Sequence, residues 1–166
     1  MEAIDDADLK FKLPFGMVIG GPSSSGKTTI LLSILKHYQQ LFKPIPKQIV
    51  YAYGEYHPHV AQLQKQGVTV HAGLPSEDFL AQCHRPLLLI LDDLMMSSSE
   101  SYLADLFTKK SHHQNIGVIF LTQNIFDKNL KVARNNSQCN GGNKISQLHV
   151  KFRHYPHSRT QLCSCH

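Results

Sequence analysis

Gly21, Gly26, Lys27 and Thr28 are the residues whose types and spacing most directly suggest chemistry. They fit G-x-x-x-x-G-K-[ST] inside the stretch MVIGGPSSSGKTTI, Met17 to Ile30, where an apolar strand-like run breaks into a loop and a helical pattern follows. Glycine reaches backbone conformations closed to other residues, so Gly21-Pro22-Ser23-Ser24-Ser25-Gly26 can curl and turn its N–H groups inward around an anion. The following helix adds its positive end. Lys27 supplies a full charge for the β- and γ-phosphates, and the Thr28 hydroxyl suits Mg²⁺. Thr29 completes the expected nucleotide-binding set. The pattern implies ATP and Mg²⁺ as cofactors.

A phosphate loop needs an acidic partner for its metal, and Leu87 to Leu91 end in Asp92-Asp93. An apolar strand closing on a carboxylate sets that acid at the carboxyl edge of a parallel sheet, where ligands bind. Asp92 is expected to hold Mg²⁺ with Thr28, and Asp93 to orient or deprotonate a water. Read alone, the pair could equally be a solvated turn. Gln123 and Asn124 close the next buried run, GVIFL with Thr122, where polar side chains can reach a γ-phosphate or a water; an ordinary strand-ending loop is the alternative. His112-His113 are expected at a helix end. Cys163, Cys165, His154, His157 and His166 do not follow the C-x₂₋₄-C spacing of zinc modules, so no metal is expected there.

These residues need a scaffold. Pro14 marks entry to a strand around Met17–Ile19. Ile30, Leu31, Ile34, Leu35, Tyr38 and Phe42 recur at helical spacing until Pro44 and Pro46. QIVYAY, Gln48 to Tyr53, reads as a strand ending at Gly54. A short helix around Val60 and Leu63, a strand over Val68–His71 and a helix over Pro75–Cys83 follow. Leu87–Leu91 has the composition of a central strand buried on both faces. Ser97 with Glu100 fits a capping box for a helix using Tyr102, Leu103, Leu106 and Phe107. Gly117–Leu121 is a further strand and Leu148–Phe152 a possible last one, while the stretch from Arg153 to His166 has no periodicity. Strands alternating with helices predict an α/β three-layer sandwich with a mostly parallel sheet.

With 166 residues there is room for one core. The expected division is a lead-in over 1–12, a P-loop ATPase domain over 13–136 and a polar Cys/His-containing tail over 137–166. A formal charge of +5 permits a polyanionic partner. Basic residues are mostly lysine; the arginines are Arg85, Arg134, Arg153 and Arg159. Four cysteines make no disulfide framework, and neither a signal peptide nor a membrane span is visible, so an intracellular setting, cytoplasmic or nuclear, is expected.

GPSSSGKTT, IVYAYGEYHP, LLLILDDLM and LADLFTKKSHHQNIGVIFLTQNIF together resemble the FtsK–HerA-type genome-packaging ATPases, those of Polinton/Maverick transposons and adintoviruses, cousins of the poxvirus packaging enzyme. The likeness spans about Leu13 to Asn136. It implies a RecA-like ASCE sheet and ATP-driven translocation of double-stranded DNA, without sequence preference, into a capsid. It also implies a homo-oligomeric ring with capsid proteins as partners. Carried over, Lys27 and Thr28 are Walker A, Asp92 and Asp93 Walker B, and Gln123 the polar sensor. Relatives often carry arginine where this chain has Lys109, Lys110 and Gln114; Arg134 is the other candidate for a trans-acting finger. The tail lacks the family's phenylalanine-lysine-asparagine-proline motif and its core strand. The resulting expectation is a truncated or decayed copy with one sheet edge poorly covered, mainly monomeric and slow in turnover. Two rival readings are a small-molecule P-loop kinase and a nucleotide-binding remnant without turnover.

Overall fold

The computed structural model describes residues 10–94, 101–102, 105–106, 114–123 and 161–163. In chain order these form β1 (Phe11–Lys12), β2 (Phe15–Gly20), α1 (Lys27–Lys36), α2 (Tyr38–Leu41), β3 (Phe42–Lys43), β4 (Gln48–Tyr53), α3 (Pro58–Lys65), β5 (Thr69–Ala72), α4 (Glu77–Gln82), β6 (Leu87–Asp92), β7 (Ile116–Thr122) and β8 (Gln161–Cys163). Six strands make one sheet in the order β5-β4-β6-β7-β2-β8, and β1 pairs with β3 separately. All pairings in the large sheet are parallel except that of β8 with β2.

Side chains alternate across the sheet, and the two faces bury separate cores. Met17, Ile19, Tyr51, Leu88, Ile90, Ile119 and Leu121 pack with Leu31 and Leu35 of α1 and Val60 and Leu63 of α3. Val18, Val50, Ala52, Leu89, Leu91, Val118 and Phe120 pack with Leu80 of α4 and with Leu106. β6 and β7 are apolar up to their last residues, Asp92 and Thr122, because helices cover them on both sides. Each fully buried leucine of β6 contributes about 1.5–3 kcal/mol. A one-residue slip would instead bring Asp92 into the position Leu91 fills, which fixes the register. The result is the three-layer α/β sandwich with a mostly parallel sheet, of P-loop NTPase type, that the hydrophobic pattern predicts.

Three local expectations are corrected. The helix after the loop breaks at His37, whose N–H bonds Ile34 O at 3.2 Å, and restarts as α2. Phe42 is therefore not helical; it pairs with Phe11 across β1 and β3, and the Phe11, Phe15 and Phe42 rings lie 5.4–5.6 Å apart. Phe11 and Lys12 accordingly form a strand, where a charged lead-in was expected. Finally, Gln161–Cys163 pairs along β2, so the tail supplies a neighbour to the sheet edge expected to lie bare. The Ser97–Glu100 capping box and the Leu148–Phe152 strand fall outside the described residues.

Candidate nucleotide and metal site

The carboxyl ends of β2, β7, β6 and β4 lie along one edge, with Gly20 opposite Thr122, Leu121 opposite Asp92, and Asp92 opposite Tyr53. β7 stands between the loop-bearing strand and the acidic strand, so Gln123 emerges between the two motifs. Two strand spacings separate β2 from β6, roughly 10 Å.

The loop leaves β2 with Gly21 N–H bonded to Thr122 O at 3.1 Å. Its left-handed residues are Ser24 (φ 62°) and Gly26 (φ 92°); Gly21, expected to need glycine's freedom as well, is not among them. A Cβ at Gly26 would meet nothing within 4 Å, so glycine is required there for its dihedral alone. Gly26 is also the N-cap of α1, offers no side chain to the first-turn amides, and no acid occupies that turn. Lys27 Nζ donates to Gly21 O at 2.6 Å and Pro22 O at 2.9 Å, holding the ammonium across the mouth of the loop. Uncapped amides and a lysine with no acidic partner among the described residues suit a phosphate.

Asp92 follows Leu88 and Ile90 on the alternation and so faces α1 and α3. Tyr51 Oη donates to Asp92 Oδ2. His59 Nε2 lies 2.8 Å from Tyr51 Oη and 4.0 Å from Asp92 Oδ2. An ionised carboxylate only accepts, and tyrosine has one proton, so that proton goes to Asp92 and His59 Nε2–H donates to the phenol oxygen. Burial, then the Asp92 bond and its charge, push the Tyr51 hydroxyl well above its ordinary range. Burial holds the His59 imidazole below its usual value against the pull of Asp92, with His57 adding to the lowering. His59 and Asp92 are thus joined through the Tyr51 hydroxyl, with 4.0 Å between His59 Nε2 and Asp92 Oδ2.

Asp93 leaves the strand with φ 50°, a conformation unusual for a residue with a side chain and one that clusters at functional sites. Three contacts hold it. Its N–H bonds Leu121 O at 3.0 Å, and its Oδ2 accepts from Gln123 Nε2 at 2.9 Å. The third is Gly54: a Cβ there would sit 2.9 Å from Asp93 O, so only glycine permits the approach.

The structure brings Asp93 and Gln123 into contact and places Lys27 on its own loop. Thr28, in the first turn of α1, and Asp92, at the end of β6, make no hydrogen bond to each other. Their donors, a hydroxyl and a carboxylate, are hard oxygens of the kind Mg²⁺ takes a few at a time, alongside phosphate oxygens and waters. Among the described residues no three His, Cys, Asp or Glu side chains gather as a metal cluster. Pro22, Ser23, Ser24 and Thr29 are exposed and Ser25 is buried. Tyr51 and His59 escaped the sequence reading. A tyrosine in QIVYAY reads as a strand former, and only the register with β6 reveals its partner. Gln114 accepts from Arg85 at 3.2 Å, while Arg85 also bonds Leu80 O at 2.7 Å, so that guanidinium serves the far end of β6. Lys109, Lys110, His112, His113, Asn124, Arg134, His154, His157, Cys165 and His166 lie outside the described residues, and Cys163 is described only as a pairing position in β8.

No helix among the described residues is long and apolar enough to cross a membrane. A family model described as Poxvirus A32 protein matches residues 3–137, a span holding the loop, both acids and Gln123. No curated protein matches the chain.

Proposed function

Because the chain belongs to the poxvirus A32 protein family, we propose that it is a Mg²⁺-dependent ATPase that drives double-stranded DNA into a viral-type capsid. In this reading residues Gly21 to Thr29 cradle the phosphates, and Lys27 meets the β- and γ-phosphates. Thr28 and Asp92 hold Mg²⁺, which when bound would neutralise charge on the phosphates. Asp93 accepts the proton of the attacking water, and Gln123 fixes the geometry of that carboxylate. The observation carrying the reading is the Gln123–Asp93 bond, which links the strand-end amide to the second acid between the two motifs.

A small-molecule kinase delivers its phosphate to a bound hydroxyl and has less need of a carboxylate to activate water. A buttressed Asp93 favours hydrolysis over that rival. A complete relative would act as a homo-oligomeric ring that meets capsid proteins and grips DNA by its phosphates, without sequence preference; this chain alone is expected to be mainly monomeric.

Steady-state ATP hydrolysis with and without double-stranded DNA tests the proposal. Turnover should rise with DNA, and the stimulation should fall steeply with salt. Asp93→Asn should keep Mg·ATP binding and lose hydrolysis by about 10²–10⁴-fold, the range of general-base catalysis. ADP formation that depends stoichiometrically on an added nucleoside or nucleotide would identify a kinase instead.

A further inference from the structure

We propose that Tyr51 is a positioning residue for the metal-binding carboxylate. Its hydroxyl, held in turn by His59, fixes Asp92 through Oδ2 and leaves Oδ1 for the metal. The inference rests on the reading of Asp92 as a Mg²⁺ ligand and adds two residues, from β4 and α3, that no motif contains.

Three observations carry it. Tyr51 is wholly buried in the core beneath α1 and α3, between Ile49 and Tyr53 on the same face of β4. A phenol hydroxyl there costs about 1–3 kcal/mol unless it is bonded, and a phenylalanine would fill the space without that cost. The hydroxyl has partners, and they are directional: it gives its proton to one oxygen of Asp92 and accepts from His59. His59 is itself held. Its ring meets Tyr51 edge-on at 5.8 Å, and His57 stacks on it at 5.6 Å.

A carboxylate on the last position of a strand can rotate, and its two oxygens are equivalent until something distinguishes them. The donated hydrogen bond does so, orienting the group before a metal arrives. Outer partners of this kind are typical of metal-ligating side chains, and their loss commonly weakens metal affinity 10–100-fold.

The test uses Mn²⁺ as the probe, titrated by electron paramagnetic resonance against the full chain with a non-hydrolysable ATP analogue. Asp92→Asn sets the scale and should lose most of the Mn²⁺ affinity. Tyr51→Phe keeps the ring and removes only the hydroxyl. It should weaken Mn²⁺ by about tenfold, at the lower end of that range, while metal-free nucleotide affinity stays unchanged. His59→Leu should weaken Mn²⁺ less, and His59→Gln, which returns an N–H near the position of Nε2, should restore it. Wild-type Mn²⁺ affinity in Tyr51→Phe, beside a defective Asp92→Asn, would overturn the role of Tyr51 and leave the metal assignment standing. Unchanged affinity in Asp92→Asn would overturn the metal assignment beneath it. If Tyr51→Phe does not fold, the His59 pair decides, and equal affinity in His59→Leu and wild type refutes the chain.

Discussion

Two helices start on the same edge of the sheet and treat their first turns in opposite ways. α4 follows β5 and is closed by its own sequence: Ser76 Oγ accepts from Phe79 N–H at 3.2 Å, and Glu77 and Asp78 place negative charge in the first turn. α1 follows β2 and is left open, with a left-handed glycine at the cap, a lysine at the first position and no acid in its first turn. Both inherit the positive end of a helix dipole and the same unsatisfied amides. One set is answered within the chain and is structural. The other, beside a lysine held by the Gly21 and Pro22 carbonyl oxygens, is arranged for an anion from outside.

Substitutions can break or sharpen this contrast. Lys27→Ala should have the largest effect. Losing charge-assisted bonds worth roughly 1.5–3 kcal/mol should weaken ATP binding by one to two orders of magnitude. The melting temperature should hardly move, because the side chain touches only its own loop. Unchanged affinity in a calorimetric titration would remove the basis for calling α1 an anion site. Gly26→Ala should come next, with about 1–2 kcal/mol of stability lost to a left-handed alanine, visible as a lower midpoint in urea. Ser76→Ala should cost about 1 kcal/mol of stability through the lost cap while ATP affinity stays at wild type. A fall in ATP affinity there would mean that the two helix starts are not functionally distinct. Thr29→Glu makes α1 resemble α4 and is expected to be the subtlest. Stability should rise by roughly 0.3–1 kcal/mol from the dipole term as ATP binding weakens, a divergence that paired melts and titrations would resolve.

Features set by local chemistry were legible in the sequence. Gln48–Tyr53 is a strand over the residues expected, and the acidic ending of β6 and the loop between β2 and α1 follow directly from residue type. Features set by distant partners were not. The apolar spacing from Ile30 runs on through Phe42 and hides the break at His37, because periodicity registers burial and not continuity. Phe11 and Phe42 are far apart in sequence, and two-residue strands leave no alternation to detect. Tyr51 illustrates the same limit at the candidate site, since its hydroxyl acquires a partner only when β4 is laid against β6. Gln123 and Asp93 were each read as facing a phosphate or a water; that they also face each other depends on β7 lying beside β6.

The strand that carries the phosphate loop gets its neighbours late. Met17 pairs with Ile119 and Val18 with Cys163, partners roughly 100 and roughly 145 positions away, so closing β2 into the sheet carries the loop-closure entropy of long intervening segments. Such non-local pairing slows folding, and until β7 and β8 arrive the strand would present bare edges to other chains. A ligand that binds only the completed edge would draw the chain toward the finished sheet by mass action. ATP would then act on this protein before any turnover, as the ligand that favours its maturation, and hydrogen exchange along β2 with and without nucleotide would register it.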